Sequence, residues 1–207
     1  MRSLGETSIT PSILWRRPDQ KVYLTFDDGP DGNITPRILD LLDSLGIKAT
    51  FFVIGQKVRQ NGSITRRIQE SGHAIGNHTY DHPRLLGKSR SMIYEQLVKT
   101  DAVLEETTGN RPHHFRPPHG RFGVSLLRVL RQTGHGMVLW SRSTRDYRKE
   151  ITSTCIKQTL TNNVKPGSIL LLHDGHPNSF RTLLALQETL SLLKEGGTDF
   201  SSLPDHD

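Results

Sequence analysis

Apolar residues along the chain follow two alternating patterns, one typical of strands and one typical of helices. Residues 21–26 form a run rich in strand-forming residues, and residues 49–54 form a nearly continuous apolar run, as in a strand that is covered on both faces. Between these runs, residues 35–45 repeat leucine and isoleucine at helical spacing, and Gly46 ends the repeat. Pro36 is a helix-start signal at the first helical position. This part of the chain is therefore predicted to form a strand, a helix and a second strand.

The same alternation continues to the end of the chain. Further strands are predicted at 73–76, 136–140, 168–172 and 199–203. Another predicted strand leads into Phe115 and Arg116. Further helices are predicted near 63–71, 91–107, 125–133, 151–162 and 179–194. Seven strands alternating with six helices predict a single α/β domain with a parallel sheet. The count is one strand short of a full barrel, so an incomplete barrel and an open doubly wound sheet both fit the pattern.

The two ends of the chain carry weaker patterns. Residues 1–20 are predicted to be an N-terminal extension and residues 204–207 a tail, both loose, around a single domain at 21–203. Residues 1–20 lack a signal-peptide pattern, and no stretch of the chain approaches 18 apolar residues. These features predict a cytoplasmic protein with no membrane partner.

Charge and cysteine content exclude several classes of function. The chain has 207 residues, and its 27 Lys and Arg against 21 Asp and Glu give a net charge of +6. The basic residues are scattered and form no continuous stripe, so we predict no nucleic-acid partner. Cys155 is the only cysteine, which excludes an intrachain disulfide and a cysteine metal cluster. The sequence makes no prediction about oligomeric state.

Polar side chains follow five of the predicted strands. They are Asp27 and Asp28, His78 and His82, Arg116, Asp146, and His173 with Asp174. The carboxyl ends of parallel strands lie on one face of the sheet, and that face carries the active site in such folds. We therefore expect these side chains to surround one pocket.

Two of these groups have the composition of a metal site. His78 and His82 are four residues apart, so both imidazoles can lie on one face of a helical turn and chelate one ion. One of the adjacent residues Asp27 and Asp28 can supply a carboxylate ligand and the other can act as a base, although Asp is also common in turns. Two His and one Asp leave a coordination position open, which is typical of catalytic sites. Zinc suits these ligands, and so do other divalent cations.

His173 and Arg116 complete the candidate site. A histidine after a buried strand can bond a backbone carbonyl, bind the metal or donate a proton, and its position opposite the carboxylates favours proton donation by His173. Arg116 lies in a rigid segment with two prolines and a glycine, and it can orient the free aspartate through an ion pair.

Several segments together resemble the polysaccharide deacetylases, also known as carbohydrate esterase family 4 or the NodB homology domain. The segments are Thr25-Phe26-Asp27-Asp28-Gly29-Pro30, His78-Thr79-Tyr80-Asp81-His82, Arg116-Pro117-Pro118-His119-Gly120, Trp140-Ser141 through Asp146-Tyr147, and Leu170-Leu171-Leu172-His173. They occur in the family's order, and the resemblance extends from about Lys21 to Leu203. It implies a distorted, incomplete (β/α)7 barrel.

The resemblance also implies a role for each residue. It assigns one divalent metal cation to three ligands, namely Asp28, His78 and His82. It makes Asp27 the catalytic base, oriented by Arg116, and His173 the general acid, whose basicity Asp146 tunes. The backbone N–H at His119 is implied to stabilise the oxyanion, and Tyr147 to contact the substrate. Three positions depart from the family pattern: His119 replaces the usual Tyr, Ser143 a common Asp, and Tyr147 the usual Trp.

The resemblance is strongest to the rhizobial nodulation-type chitooligosaccharide deacetylases. It implies hydrolysis of the N-acetyl group from N-acetylglucosamine units of chitooligosaccharides, at the non-reducing end and in nodulation factor synthesis. Alternatives are an O-deacetylase of acetylated polysaccharides such as xylan, a non-catalytic glycan-binding protein and a nucleic-acid-binding protein.

Overall fold

A curled sheet of nine strands forms the centre of the protein in the computed structural model, which describes residues 11–162 and 164–204. The strands are β1 (Ile13–Leu14), β2 (Val22–Asp27), β3 (Thr50–Val53), β4 (Ala74–Asn77), β5 (His114–Phe115), β6 (Gly136–Val138), β7 (Arg142–Ser143), β8 (Ile169–His173) and β9 (Phe200–Ser201). Neighbouring strands follow the order β1-β6-β5-β4-β3-β2-β8-β7, and β9 also pairs with β2. Every pair in this sheet is parallel.

Helices connect most of the strands. They are α1 (Ile34–Leu45), α2 (Gly55–Gln60), α3 (Gly62–Glu70), α4 (Arg90–Thr108), α5 (Val124–Thr133), α6 (Ser153–Thr161) and α7 (Ser179–Glu195), with a short 3-10 turn at Pro118–Gly120. Within the described residues, none of these helices is long and apolar enough to span a membrane. The alternation of strand and helix confirms the predicted α/β class.

The strand β2 shows how the sequence pattern positions the site. Val22, Leu24 and Phe26 face the helices and join the main apolar core, whereas Tyr23 belongs to a separate cluster inside the curl of the sheet. Because side chains alternate along a strand, the inward series continues to Asp27 at the carboxyl end. The strand thus places a carboxylate at the open end of the barrel with apolar residues below it.

The regular strand order begins at β1 and ends at β7, so the ladder of parallel strands does not close, as expected for an incomplete barrel. The chain nevertheless spans the gap between β6 and β8 where it passes from β6 to β7. There the Ser141 backbone N–H donates to Ile169 O at 3.0 Å, and the Ile169 N–H donates to Ser141 Oγ at 3.0 Å.

The prediction that residues 1–20 are loose is wrong for the part that the structure describes. β1 pairs with β6, and Arg16 forms an isolated antiparallel bridge with Ser168. The Arg17 backbone N–H also donates to Gly167 O at 2.9 Å. This segment lies across the gap between β6 and β8, because that gap leaves backbone groups that need partners. Residues 1–10 and 205–207 of the predicted ends lie outside the described residues.

Two further elements were not predicted. α2 precedes the predicted helix at 63–71, which the structure places at Gly62–Glu70, and β7 follows the shortened strand β6. The helix α2 is short and has two buried residues, Gly55 and Val58, so it shows little apolar periodicity. The structure therefore has more elements than the seven strands and six helices of the prediction.

Replacing Gly167 by alanine should destabilise the protein through the docked N-terminal segment. A β-carbon at Gly167 would lie 2.0 Å from Arg17 O, and the residue has a φ of 78°. Gly134 has a φ of 77° but no atom within 4 Å of its β-carbon position, so Gly134→Ala is a matched control. We expect Gly134→Ala to cost about 1–2 kcal/mol of unfolding free energy. Gly167→Ala should cost about 1–3 kcal/mol more. Urea denaturation measures both, and equal losses would contradict a packed N-terminal segment.

Candidate active site

The predicted site residues meet at the carboxyl ends of the strands, around a cleft of about 1060 Å³. Seven of the predicted catalytic, metal and substrate residues line it directly, namely Asp27, Asp28, His78, His82, His119, Tyr147 and His173. Arg116 and Asp146 are buried and contact two of these residues from behind. The structure thus brings together all the predicted catalytic, metal and substrate residues. Asp174, which was also expected at the pocket, is buried against Gly29 and does not line the cleft.

Asp28, His78 and His82 form a cluster whose ligand atoms all lie within 4.8 Å of one another. Asp28 Oδ1 is 3.5 Å from His78 Nε2 and 3.2 Å from His82 Nε2. Asp28 and His82 have left-handed backbones, with φ of 72° and 60°. Non-glycine residues in this region are strained, and such strain is concentrated at functional sites.

The protonation states of the cluster suit a bound cation. His78 Nδ1–H donates to Arg116 O at 2.7 Å, so Nε2 faces Asp28 and can offer its lone pair to a cation bound there. Burial lowers the pKa of His82 to about 4, so this imidazole is neutral. Burial alone would raise the pKa of Asp28, but the adjacent His78 outweighs it and holds the pKa below its usual range.

One buried atom of the cluster lacks a partner. Asp28 Oδ1 has no hydrogen bond within the described part of the chain, although it is inaccessible to solvent. A buried, ionised oxygen without a partner is costly, and a cation at this position would remove that cost. The residues therefore fit a divalent metal with one carboxylate and two neutral imidazole ligands.

Asp27 is held by a fully buried arginine. Arg116 Nη1 donates to Asp27 Oδ1 at 2.7 Å and to Thr25 Oγ1 at 2.7 Å. Arg116 Nε donates to Val138 O, and Nη2 donates to Leu139 O. Asp27 Oδ2 is left facing the cluster, 3.7 Å from His78 Nε2. This geometry fixes one carboxylate oxygen and leaves the other available for proton transfer.

His173 has a different electrostatic environment from that of His82. Its Nδ1 and its backbone N–H contact the two oxygens of Asp146 at 2.7 and 2.9 Å. Thr182 Oγ1 donates to the same carboxylate at 2.6 Å. Burial alone would lower the pKa of His173, but Asp146 dominates and raises the pKa to about 9. His173 is therefore protonated at neutral pH and can donate a proton from Nε2.

The three positions that depart from the family pattern also border the cleft. The ring of His119 lies 4.8 Å from that of His82 in an edge-to-face contact, and its backbone φ is 60°. Tyr147 makes a similar contact with His173, at 5.5 Å between ring centroids. Ser143 Oγ accepts a hydrogen bond from the Arg145 N–H at 3.1 Å. The side chains at these positions face the space around the candidate catalytic groups.

Comparison with known proteins agrees with this arrangement. A family model described as polysaccharide deacetylase matches residues 16–138, which is more than half of the chain. The chain belongs to the polysaccharide deacetylase family. Its resemblance to this family, first inferred from the short segments at the strand ends, is thereby confirmed.

Similar proteins include deacetylases of two glycans. The peptidoglycan-N-acetylglucosamine deacetylase PgdA of Listeria monocytogenes is 34% identical over 202 residues, covering 98% of this chain and 42% of that protein. A chitooligosaccharide deacetylase of Azorhizobium caulinodans is 36% identical over 195 residues, covering 88% of this chain and 92% of that protein. The chain thus spans less than half the length of the Listeria relative.

A solved structure shares the fold. It is a peptidoglycan N-acetylglucosamine deacetylase in complex with 4-naphthalen-1-yl-N-oxidanyl-benzamide, with a TM-score of 0.89 and 34% sequence identity. The match covers 94% of this chain and 92% of that chain. The incomplete-barrel architecture of the deacetylase fold is therefore common to both proteins.

The sequence analysis missed a lysine that supports the candidate metal cluster. Lys57, on α2, donates from Nζ to Asp28 O at 2.8 Å and to Gly175 O at 2.7 Å. It thereby joins the loop that carries Asp28 to the loop that follows His173. No sequence signal identified Lys57, because the helix on which it lies was not predicted.

The same two loops are also in close contact through their backbones. A β-carbon at Gly175 would lie 1.9 Å from Asp28 O, and one at Gly29 would lie 2.2 Å from Asp174 Oδ2. Both positions therefore require glycine. Burial raises the pKa of Asp174 to about 7, and the Thr35 hydroxyl donates to its carboxylate. The candidate metal cluster and the candidate acid thus share one supporting structure.

Replacing Lys57 by methionine should weaken metal binding, because the backbone of Asp28 loses the cation that fixes its conformation. Changes to groups that orient metal ligands typically lower affinity about 10–100-fold, and we expect a loss at the lower end of this range. Lys48→Met is the matched control, since Lys48 is also half-buried and donates to a backbone carbonyl, that of Ser71, before β3. Zn²⁺ titration of each apo-protein against a chromophoric chelator measures the affinity. An unchanged zinc affinity in Lys57→Met would contradict this role.

Proposed function

We propose that this protein hydrolyses the N-acetyl group of N-acetylglucosamine units in glycans, with chitooligosaccharides as substrate and zinc as the metal. The observation that carries this proposal is the placement of Asp27 and His173, which are register partners at the ends of β2 and β8. Both line the cleft next to the Asp28, His78 and His82 cluster. A base and an acid beside a metal site are the groups that amide hydrolysis requires.

The proposed reaction divides its proton transfers between these two residues. When bound, the cation polarises the amide carbonyl and lowers the pKa of water toward about 7. Asp27 Oδ2 takes the proton of the attacking water, while Arg116 holds the other oxygen of the carboxylate in place. A carbon–oxygen bond forms as the acetyl carbon becomes tetrahedral.

The second step releases the amine. The backbone N–H of His119 is proposed to donate to the oxyanion, and one such donor is typically worth about 2.7–4 kcal/mol. His173 gives its Nε2 proton to the sugar nitrogen as the carbon–nitrogen bond breaks. Asp146 keeps His173 protonated until that point. The products are acetate and a free amino sugar.

The protonated state of His173 favours an amide over an ester as substrate. An amine must be protonated before it leaves, whereas an alkoxide from an ester is a better leaving group and needs this proton less. The raised pKa of His173 is therefore of most use in N-deacetylation. Hydrolysis of xylan-like O-acetyl esters is the second candidate, because the same groups can attack an ester. The non-reducing-end preference, the part in nodulation factor synthesis and the cytoplasmic location stay predictions.

The function can be tested by mass spectrometry of an N-acetylglucosamine tetramer after incubation with the zinc-loaded protein. We expect loss of one acetyl group per reacting unit, and no loss after treatment with a chelator. Asp27→Asn should abolish turnover but retain zinc, because Asp27 is the base and not a ligand. Acetylated xylan oligomers serve as the comparison substrate. Faster acetate release from xylan, or activity of Asp27→Asn near that of the wild type, would contradict the proposal.

Replacing Asp146 by asparagine should change the pH dependence of this reaction. Asp146 raises the pKa of His173, and the acid form of His173 exists only below that pKa. The alkaline limb of the kcat profile should therefore move to lower pH, by about 1–3 pH units. Asp101→Asn is the control, because Asp101 is also buried and contacts a histidine, His135, outside the cleft. If Asp146→Asn keeps the wild-type alkaline limb, His173 is not the acid.

A further inference from the structure

Gln96, on α4, holds the middle of the loop that carries both histidines of the candidate metal cluster. We call residues 78–82 the histidine loop. The N–H groups of Tyr80 and Asp81 both donate to Gln96 Oε1, at 2.9 and 3.2 Å. Because both partners are donors, the oxygen of the amide faces them and not its nitrogen. Gln96 is half-buried and does not line the cleft, so it supports the loop from outside the site.

The other N–H groups of the histidine loop are bound by nearby side chains. The Thr79 N–H donates to Asn77 Oδ1 at 2.8 Å, and the His82 N–H donates to Thr79 Oγ1 at 3.1 Å. Asn77 ends β4, and Thr79 belongs to the loop itself. Of the three side chains that accept these hydrogen bonds, only Gln96 therefore comes from a distant part of the sequence.

The carbonyl groups of the histidine loop contact a second helix. The Gly55 N–H donates to Thr79 O at 3.0 Å, and the Gln56 N–H donates to Tyr80 O at 2.9 Å. Both donors are backbone groups in the first turn of α2. The loop is thus held between α2 and α4, and Gln96 supplies the contact from α4.

The histidine loop needs this support because its backbone is strained at two positions. Thr79 and His82 have φ of 70° and 60°. The left-handed region is unfavourable for residues other than glycine, and especially for a β-branched residue such as threonine. Such conformations persist only where the surrounding structure holds them in place. Loss of the contact at Asp81 would therefore let the next residue, His82, leave its conformation.

The two histidines differ in what holds their rings. His78 Nδ1 contacts Arg116 O at 2.7 Å, which fixes the His78 ring directly. The His82 ring lacks such a restraint within the described part of the chain, where its polar contact is with Asp28 Oδ1 at 3.2 Å. The orientation of His82 therefore depends on the backbone that Gln96 holds.

We propose that Gln96 is a positioning residue for the metal, whose amide oxygen fixes the histidine loop so that His82 is oriented before the cation binds. This inference rests on the metal-dependent part of the proposed function. Gln96 contacts neither the cluster nor the cleft, and it acts through His82. A ligand that is already in position loses less conformational freedom on binding, which raises the affinity for the cation.

The test compares the zinc affinity of variants at this position. Gln96→Met removes the oxygen acceptor but keeps a long side chain with good helix propensity. We expect about tenfold weaker zinc binding, as is typical when a group that orients a metal ligand is lost. Gln96→Glu keeps an oxygen acceptor and should bind zinc at least as tightly as the wild type. Competition of each apo-protein with a chromophoric chelator measures the affinity.

Gln69→Met is the matched control, because Gln69 is also a half-buried glutamine on a helix, α3, and does not line the cleft. It should bind zinc like the wild type. Circular dichroism checks that each apo-protein is folded. Should Gln96→Met fail to fold, Gln96→Asn replaces it. Its amide is one methylene too short to reach both N–H groups, so it should show the same loss of affinity.

The absorption spectrum of the Co²⁺-loaded protein provides a readout that a loss of stability would not change, because it reports the geometry of the ligands around the ion. The spectrum of Gln96→Met should differ from that of the wild type, whereas the spectra of Gln96→Glu and Gln69→Met should not. Wild-type affinity and spectrum in Gln96→Met, or an equal loss in Gln96→Glu, would overturn the inference alone. If the wild-type protein binds no zinc, the metal dependence under the proposed function is refuted as well.

Discussion

The candidate active site depends on one fully buried cation, Arg116. Its guanidinium donates to Asp27, to Thr25 and to two backbone carbonyls at the end of β6, and its own carbonyl accepts a hydrogen bond from His78. A single residue directly after β5 thus holds the ends of β2, β4 and β6 together. Breaking a buried ion pair by removing one partner typically costs about 3–5 kcal/mol. The ionised state and orientation of Asp27 are therefore coupled to the stability of the barrel.

Different partners produce opposite protonation states around this cation. Burial holds the half-buried His82 neutral, whereas the Asp146 carboxylate keeps the more deeply buried His173 protonated. Asp28 stays ionised because the adjacent His78 outweighs the effect of burial. Pairs of titratable groups with pKa values displaced in opposite directions are typical of acid–base sites. The site thus places a neutral histidine in the candidate metal cluster and a protonated histidine as the candidate acid. This difference in protonation arises from the hydrogen-bond partners rather than from exposure.

The loops around the cleft differ in how firmly they are fixed. The loops after β2 and β8 are interlocked by close backbone contacts and by Lys57, which fixes the groups proposed to do the chemistry. The loops after β4, β5 and β7 carry Arg84, Arg121 and Arg145, which line the cleft with exposed side chains. Function is often carried by loop residues that a rigid scaffold positions.

The sequence alone determined the α/β class and the candidate residues for the chemistry. These residues lie directly after apolar strands, so a local pattern places Asp27, His78 and His173 at the same edge of a parallel sheet. Tertiary structure alone decided the pairing of the N-terminal strand with β6, because β1 is too short to show a period and its partner lies more than 120 residues later. It also decided the support from Lys57, whose partner Gly175 is 118 residues away. Such contacts leave no local sequence signal, because the two partners are far apart in the sequence and neither has a distinctive pattern around it.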